Sequence, residues 1–273
     1  MRSLTTLLLL LLLLLLLSAA SGMAERERPL RAPGETPAPS SVLWIAAHPD
    51  DEAILAPLLA HWCLGRDTRC GFLILTRGEN GECLLSGGCH PEVGSVRSAE
   101  AGASSELFEA DLMLLRFPDG GVDGSAPDLV ATVAGYIEAF HPTTVMTFDP
   151  RHGSTCHSDH RETGRVVLAA MERLSYSPDL LLLETKAEIG GDPLEIRFAP
   201  AVEGAESFDA NALLLPTREA AWEMIVEDML RHPSQFDGAW IRAIERVPEE
   251  QRRVWYGPAD AMLARPATGC AAR

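Results

Sequence analysis

Short apolar runs alternate along this chain with longer segments in which apolar residues recur at helical spacing. Residues 42–46 form such a run between polar neighbours, which predicts a buried strand. The apolar residues that follow repeat at helical spacing and predict a helix: Ile54, Leu55, Leu58, Leu59 and Trp62. A strand and a helix are therefore expected in succession at the start of the folded part.

The same alternation continues to about residue 184. Four further buried strands are expected, at 71–76, 112–115, 144–148 and 180–184. Helices are expected between them, at 97–110, 128–140 and 159–174. Strands that alternate with helices indicate a mostly parallel central sheet with helices on both faces, so the predicted fold class is α/β.

The two ends of the chain follow other patterns. Residues 1–22 indicate a secretory signal peptide, because Arg2 precedes a leucine run at 7–17 and small residues follow. An uncleaved N-terminal anchor is the alternative. Residues 23–40 are charged and Pro-rich and predict a flexible linker, so one domain is expected over 41–265. Near its end, 201–215 predicts one or two extra strands and 218–230 a helix.

Composition narrows the possible partners. The chain has 39 acidic and 23 basic residues and a formal net charge of −16. This balance argues against nucleic acid as a partner, because binding phosphates requires Lys and Arg. It also argues against docking on anionic lipid. We expect a secreted or periplasmic protein with no stable membrane insertion after signal cleavage.

Export also affects how the six cysteines are interpreted, because thiols pair in oxidising compartments. Cys83 and Cys89 lie in one Gly-rich loop and are the pair favoured first. Cys63 and Cys70 are also close in sequence. For Cys156, which lies beside candidate site residues, packing or a disulfide is favoured over a role as ligand or nucleophile.

Histidines and carboxylates are concentrated where the predicted strands end. Residues 48–52 (HPDDE) follow the first strand, and Asp149, His152, His157, Asp159 and His160 follow the fourth. Ligands of open α/β sheets bind beyond these strand ends. A hydrolytic zinc site needs three protein ligands and an open position for water. His48 and Asp51 could supply two ligands and His157 or His160 a third, with Asp50 left as base; alternatively, the two acids only favour the helix dipole.

Several segments together resemble one known family. Residues 47–52 (AHPDDE) resemble the opening motif of the PIG-L/LmbE-like deacetylases. Other matching segments follow in the family's order between residues 42 and 236: 76–81 (TRGENG), Arg97 with Glu100, 117–120 (FPDG), 148–150 (FDP), 157–160 (HSDH) and 232–235 (HPSQ). The resemblance implies a Rossmann-like three-layer sandwich. It also implies a Zn²⁺-dependent hydrolase that removes an N-acyl group, acetyl in the first place, from an amino sugar or related glycoconjugate, and it allows an oligomer.

The resemblance further implies roles for individual residues. The metal ligands would be His48, Asp51 and His160, and the general base Asp50. His157 would stabilise the charged tetrahedral intermediate or protonate the amine, and Asp159 would orient His157. Arg97 and Asp119 match positions at which relatives contact substrate.

The sequence also departs from the family pattern. Family members often carry a Tyr shortly before the last motif histidines, where this chain has Ser154, Thr155 and Cys156. The oxyanion would then be stabilised by the metal and His157, or by a tyrosine from elsewhere: Tyr136, Tyr176 or Tyr256. Arg77 replaces a usual Asp and could bind an anionic group of the substrate; the alternative is a pair with a local acid.

Two other functions are compatible with the sequence. One is an amidase or esterase that uses the same metal site on a different acyl substrate. The other is a carbohydrate-binding relative without catalytic activity, which the retention of Asp50 beside the ligand set disfavours.

Overall fold

The computed structural model describes residues 38–214, 217–268 and 270. The expected signal peptide and residues 23–37 of the expected linker lie outside this part of the chain. The first strand begins at Ser41. Within the described ranges, no helix combines the length and the apolar character needed to cross a bilayer.

A seven-stranded sheet forms the centre of the fold, in the order β3-β2-β1-β4-β5-β9-β8, and β6 and β7 form a separate hairpin. The strands are β1 Ser41–Ala46, β2 Arg69–Thr76, β3 Ala110–Phe117, β4 Thr144–Phe148, β5 Asp179–Leu183, β6 Thr185–Gly190, β7 Glu195–Pro200, β8 Glu206–Asp209 and β9 Arg253–Pro258. β1 to β5 are parallel, β9 is antiparallel to β5, and β8 is antiparallel to β9. The expected mostly parallel sheet is confirmed.

Helices cover both faces of this sheet. They are α1 Ala56–Cys63, α2 Val93–Leu107, α3 Pro127–Phe140, α4 Ser158–Met171, α5 Glu223–Met229, α6 Gly238–Glu245 and α7 Ala259–Leu263. Alternate side chains of β1 enter different cores: Trp44 packs with α1, α5 and α6, and Leu43 packs with α3 and α4. Burial on both faces explains why the central strands are continuous apolar runs in the sequence.

The five parallel strands lie where the apolar runs predicted them, but several other elements differ. α2 ends at Leu107 and not at 110, because Glu109 has a positive φ of 52° and Ala110 already belongs to β3. The helix expected at 218–230 is shorter, Glu223–Met229. The β6–β7 hairpin and β9 were not predicted, since neither forms a long apolar run.

All six cysteines are paired: Cys63–Cys70, Cys83–Cys89 and Cys156–Cys270. The pairing favoured for Cys83 is confirmed. The disulfide interpretation of Cys156 is confirmed as well. Its partner Cys270 lies 114 residues further along the chain, so this bridge ties the loop after β4 to the C-terminal segment.

Candidate functional site

The candidate site lies where β1 and β4 pair side by side at the centre of the sheet. The chain turns from β1 towards β2 on one side, whereas β4 leads to β5 on the other. Loops after such neighbouring strands diverge and leave a crevice at their carboxyl ends, which is where ligands of open α/β sheets bind. A cavity of about 480 Å³ opens there.

Most of the residues singled out from the sequence line this cavity: His48, Asp50, Asp51, Arg97, Asp119, His157 and His160. They come from the loops after β1, β3 and β4, from α2 and from the start of α4. The fold therefore brings together groups that are more than 100 residues apart in the chain.

Three histidines form the centre of the cluster. Ring nitrogens of His48, His157 and His160 lie within 4.8 Å of one another. The ring of His160 stacks on Phe148 with centroids 4.2 Å apart. Its Nδ1 lies 2.9 Å from the carbonyl oxygen of Gly153, so an Nδ1–H donated there leaves the lone pair of Nε2 directed into the cluster.

Asp51 completes the arrangement around His160. Its Oδ2 accepts hydrogen bonds from the backbone N–H groups of Ala47 (2.9 Å) and His48 (2.8 Å). Its Oδ1 lies 2.9 Å from Nε2 of His160. Burial alone would raise the pKa of Asp51, but the charge and hydrogen bond of His160 outweigh it and hold that pKa well below its usual value.

His48 also faces two further carboxylates. Its Nε2 lies 3.0 Å from Asp119 Oδ1 and 3.4 Å from Asp159 Oδ2. Burial lowers the pKa of His48, but the hydrogen bonds to these two acids raise it by more, to well above its usual value.

The donor atoms fit a divalent metal. A carboxylate oxygen of Asp51 and a lone pair of His160 face each other, which is favourable only with a cation or a proton between them. Histidine nitrogens and carboxylate oxygens in a buried cluster are the ligands that zinc takes in proteins. Two overlapping sets of three ligands share His48: one with His157 and His160, the other with Asp119 and Asp159.

Asp50 lies beside this cluster in an unusual backbone conformation, with φ 99° and ψ −14°. A non-glycine residue in this region is strained, and such residues concentrate at functional sites. Burial raises the pKa of Asp50 to about 6, although the charge of Arg97 partly opposes this. A carboxyl group with a pKa near neutrality can accept a proton and later return it.

Arg97 is only 4% exposed, and its guanidinium group is directed at protein acceptors. It donates to the carbonyl oxygens of Gly78 (3.0 Å) and Pro49 (2.5 Å) and to Oδ2 of Asp50 (2.8 Å). The residue expected to contact substrate therefore also holds Asp50 in place.

Arg77 is not among the described residues that line the cavity. Its guanidinium group pairs with Glu92 at 2.6 Å. The pair with a local acid, which the sequence offered for Arg77 beside a role in binding the substrate, is what is observed.

The start of α4 places two more of the expected residues. His157 is the N-cap of this helix, and its Nδ1 accepts a hydrogen bond from the backbone N–H of Asp159 (3.3 Å). The carboxylate of Asp159 instead accepts the N–H of Gly120 (2.7 Å) and lies beside His48. Burial and the neighbouring histidines lower the pKa of His157, so its ring is held neutral.

The region of the chain that carries this geometry is similar to a known family. Residues 43–171 match the model of the PIG-L family, described as GlcNAc-PI de-N-acetylase. The chain carries a PIG-L family domain. The matched region contains most of β1, all of β2 to β4 and both histidine-bearing loops, so it includes every residue expected in the site.

Individual relatives of the PIG-L domain are more distant. A 1D-myo-inositol 2-acetamido-2-deoxy-alpha-D-glucopyranoside deacetylase from Mycolicibacterium gilvum is 28% identical over 166 residues, 52% of this chain and 57% of the relative. The Mycobacterium leprae protein of the same description is 26% identical, over 84% of this chain and 80% of that one. For the first of these, the chain thus spans little more than half the relative's length.

A solved structure supports the fold. The N,N'-diacetylchitobiose deacetylase from Pyrococcus horikoshii superposes with a TM-score of 0.63. The alignment covers 83% of this chain and 86% of that one, at 15% sequence identity. At this level of identity the likeness concerns the fold of the PIG-L domain and its extension beyond residue 171.

Sequence reasoning did not assign the residues that support the site. Nε2 of His232 lies 2.9 Å from Oε1 of Glu52, and Oε2 of Glu52 accepts the backbone N–H of Asp50 (3.2 Å). Glu100 accepts both the N–H and the hydroxyl of Ser234. These residues belong to segments that resemble the family motifs, and the motifs therefore marked them. Which of them pair with one another could not be read from the sequence.

The tyrosine that family members often carry has no counterpart in the described lining of the cavity. None of the chain's three tyrosines is among the described residues that line the cavity. Ser154 and Thr155 do line it, and the hydroxyl of Ser154 is already donated to the carbonyl oxygen of Thr185 (2.6 Å). We therefore expect the oxyanion to be stabilised by the metal and His157, the first of the two possibilities that the sequence left open.

Proposed function

We propose that the protein is a zinc-dependent hydrolase that removes an N-acyl group, acetyl in the first place, from an amino sugar or a related glycoconjugate. One observation carries the proposal: three histidines, Asp51 and a base of raised pKa converge at the sheet's switch point inside a PIG-L domain. The printed functions of the relatives, which are deacetylases of N-acetylated glucosamine compounds, support the substrate class.

His48, Asp51 and His160 would hold the metal. Asp51 is held by two backbone N–H groups and His160 by the carbonyl oxygen of Gly153, so both are preorganised before an ion binds. When bound, zinc would lower the pKa of water and polarise the amide carbonyl.

The remaining groups handle protons and charge. Asp50 accepts the proton of the attacking water on its carboxylate and donates it to the departing nitrogen. Arg97 fixes the position of that carboxylate through Oδ2. His157 stabilises the negative charge that develops on the acyl oxygen, as a preorganised donor in a partly buried site. Asp119 would contact the sugar hydroxyls, and its position in the lining of the same cavity supports this role.

We also propose that the protein acts outside the cytoplasm. The leucine-rich N-terminal segment supports export, as does the pairing of all six cysteines, because such disulfides persist in oxidising compartments.

The test is release of free amine from N-acetylglucosamine and its glycosides by the zinc-loaded protein and by Asp50→Asn. The asparagine has nearly the same shape but cannot accept a proton, so turnover should fall by on the order of 10²-fold or more. Zinc content, measured by mass spectrometry, should stay near that of the wild type.

Asp179→Asn is the matched control, since Asp179 is exposed at the start of β5, at the opposite end of the sheet. It should keep full turnover. Near-normal turnover of Asp50→Asn would remove Asp50 as the base, and no amine release by the wild type from any amide of the series would contradict the proposed function.

A further inference from the structure

The cavity has a polar and an apolar flank. Its polar lining comes from the loops after β2 and β3 and from α2: Asn80, Gly81, Arg97, Asp119 and Gly120. Its apolar lining comes mainly from the β6–β7 hairpin, α5 and α6: Ala187, Ile189, Ile196, Phe198, Ile225, Met229, Trp240 and Ile244. In the sheet, β2 and β3 lie on one side of β1, whereas the hairpin follows β5 on the other.

The apolar flank is built into the fold. Ile196, Phe198, Ile225 and Ile244 are each at most 7% exposed, and Phe198 packs edge-on against Trp222 with centroids 5.7 Å apart. Ile189 differs, because it is 45% exposed although it lines the cavity. Isoleucine exposed at the edge of a cavity, next to buried apolar walls, is typical of a site that binds an apolar group.

An acetyl group does not account for this surface. Its methyl group is close in size to a water molecule, which occupies about 30 Å³ in the liquid. The cavity measures about 480 Å³, and its apolar walls extend over two helices and a hairpin. A second apolar part of the substrate is needed to cover them.

The position of the histidine cluster decides which part this is. The cluster belongs to the loops after β1 and β4, between the two flanks, so the scissile amide lies between them. A sugar needs hydrogen-bonding partners, which the polar flank supplies through Asn80 and Asp119. The acyl side of the amide then extends towards the hairpin.

We propose that the preferred substrate is an amino sugar whose nitrogen carries a medium-length apolar acyl chain, bound between the β6–β7 hairpin and helices α5 and α6. This rests on the proposed function and specifies its substrate. The reaction consumes one water: the acyl C–N bond breaks, a C–O bond forms, and the products are the chain's carboxylate and the free amino sugar.

The first experiment compares methyl glycosides of N-acetyl-, N-butyryl-, N-hexanoyl- and N-octanoylglucosamine with the zinc-loaded protein. Burying one methylene strengthens binding by about fourfold. kcat/KM should therefore rise along the series, by on the order of 10²-fold from acetyl to hexanoyl. A value that is flat or falls with chain length overturns the inference but leaves the proposed function intact.

A pair of isomers tests the direction of the chain. Methyl N-octanoylglucosaminide and the hexyl glycoside of N-propanoylglucosamine have the same formula and differ in which side of the amide carries most of the carbons. Faster release from the first supports the acyl site. Faster release from the second places the chain on the sugar side and overturns the inference. If no amine is released from either compound or from any of the four N-acyl methyl glycosides, the proposed function itself has failed.

Variants locate the site. Ile189→Asp should lower the ratio of octanoyl to acetyl kcat/KM by on the order of tenfold, because a charge at the cavity edge opposes apolar binding. Ala187→Phe, which fills the same wall, should lower that ratio as well, so one misfolded variant does not remove the test. Leu213→Asp is the matched control: Leu213 is 68% exposed and outside the cavity, and the ratio should not change.

Binding is measured apart from turnover on Asp50→Asn by calorimetry. The N-octanoyl glycoside should bind at least about 10²-fold more tightly than the N-acetyl glycoside. Ile189→Asp, introduced into the same protein, should remove most of that difference. Equal affinities for the two glycosides would contradict an acyl site.

Discussion

At the scale of single residues, the site depends on how Asp50 is held. Its left-handed backbone is unfavourable by itself, and its carboxylate would be free to turn without a partner. Arg97 holds both the backbone before Asp50 and its carboxylate, because one nitrogen of the guanidinium group donates to the carbonyl oxygen of Pro49 and to Oδ2 of Asp50. Another nitrogen of the same group reaches Gly78.

Arg97→Lys tests this role. Lysine keeps the charge but lacks the planar fork that bonds three acceptors at once, so kcat should fall by about tenfold or more. Arg77→Lys is the control, since Arg77 pairs with Glu92 away from the cavity. Steady-state kinetics of both variants should show the loss in the first alone. An equal loss in both would contradict the assignment.

At the scale of elements, α4 must approach β4 closely to bring His157 and His160 to the site. Gly164 allows this approach. A Cβ at this position would lie 2.4 Å from the carbonyl oxygen of Phe148 and 3.1 Å from the nitrogen of Pro150, which is too close for backbone atoms.

Gly164→Ala should therefore force α4 away from β4 and lower the free energy of unfolding by roughly 1–3 kcal/mol. Gly135 offers a matched comparison on α3, where a Cβ would meet nothing within 4 Å. There the change to Ala should raise stability by about 0.5–1 kcal/mol, because helical glycine is unfavourable. Urea unfolding measures both, and effects of the same sign would contradict this packing.

The loop after β4 is a second element on which the site depends. It contains Ser154 and Cys156, both with positive φ, and Cys156 directly precedes His157. The bridge to Cys270 holds this loop against the C-terminal segment. The Cys63–Cys70 bridge joins α1 to β2 at the opposite end of the sheet.

Replacing Cys156 and Cys270 by Ala together should lower stability by about 5 kcal/mol, and the Cys63/Cys70 double variant by about 2 kcal/mol, from the lengths of the closed loops. The first variant should also lose activity under conditions in which it is still folded. Thermal unfolding and amine release, measured together, separate the two effects. Unchanged kcat in the folded Cys156/Cys270 variant would show that the bridge does not hold the site.

At the scale of the whole molecule, a buried cluster joins two segments that are far apart in the chain. Glu52 follows β1, Asp228 lies on α5 and His232 follows that helix, and all three are 0% exposed. Burial by itself would lower the pKa of His232, but the negative charge of Glu52 outweighs this effect and raises the pKa to about 9. Burial and the same charge raise the pKa of Asp228 to about 8.

Both shifts make the protein less stable as pH rises. Because the folded-state pKa values exceed those of the unfolded chain, the folded protein keeps protons that the unfolded chain has released. The contribution of His232 is complete below about pH 6.5 and is lost as pH rises through about 9. The contribution of Asp228 is lost as pH rises through about 8.

Asp228→Asn, which resembles the protonated acid, should therefore show a smaller decrease in the free energy of unfolding between pH 6.5 and 8 than the wild type. Urea unfolding at several pH values measures the difference. Asp179→Asn, an exposed change, should follow the wild type. A slope in Asp228→Asn as steep as in the wild type would contradict the raised pKa of Asp228.

Much of this protein is determined locally and is therefore readable from its sequence. A strand buried on both faces must be apolar throughout, so five parallel strands and the α/β class followed from the apolar runs. Site residues follow the strand ends because the carboxyl ends of parallel strands meet at one edge of the sheet, where ligands bind. On this basis His48, Asp50, Asp51 and His160 were expected at one edge of the sheet, and all four line the same cavity. The proximity of Cys83 and Cys89 indicated their pairing.

Other features depend on contacts between segments far apart in the chain, which no local pattern encodes. Arg97 reaches the cavity from α2, whereas Arg77 pairs with Glu92, and the Cys156–Cys270 bridge joins residues 114 positions apart. The short, half-exposed hairpin strands gave no apolar run, so the apolar wall of the cavity was invisible until packing assembled it. The chemistry of the site follows from residue types, whereas its shape, which governs the choice of substrate, follows from tertiary structure alone.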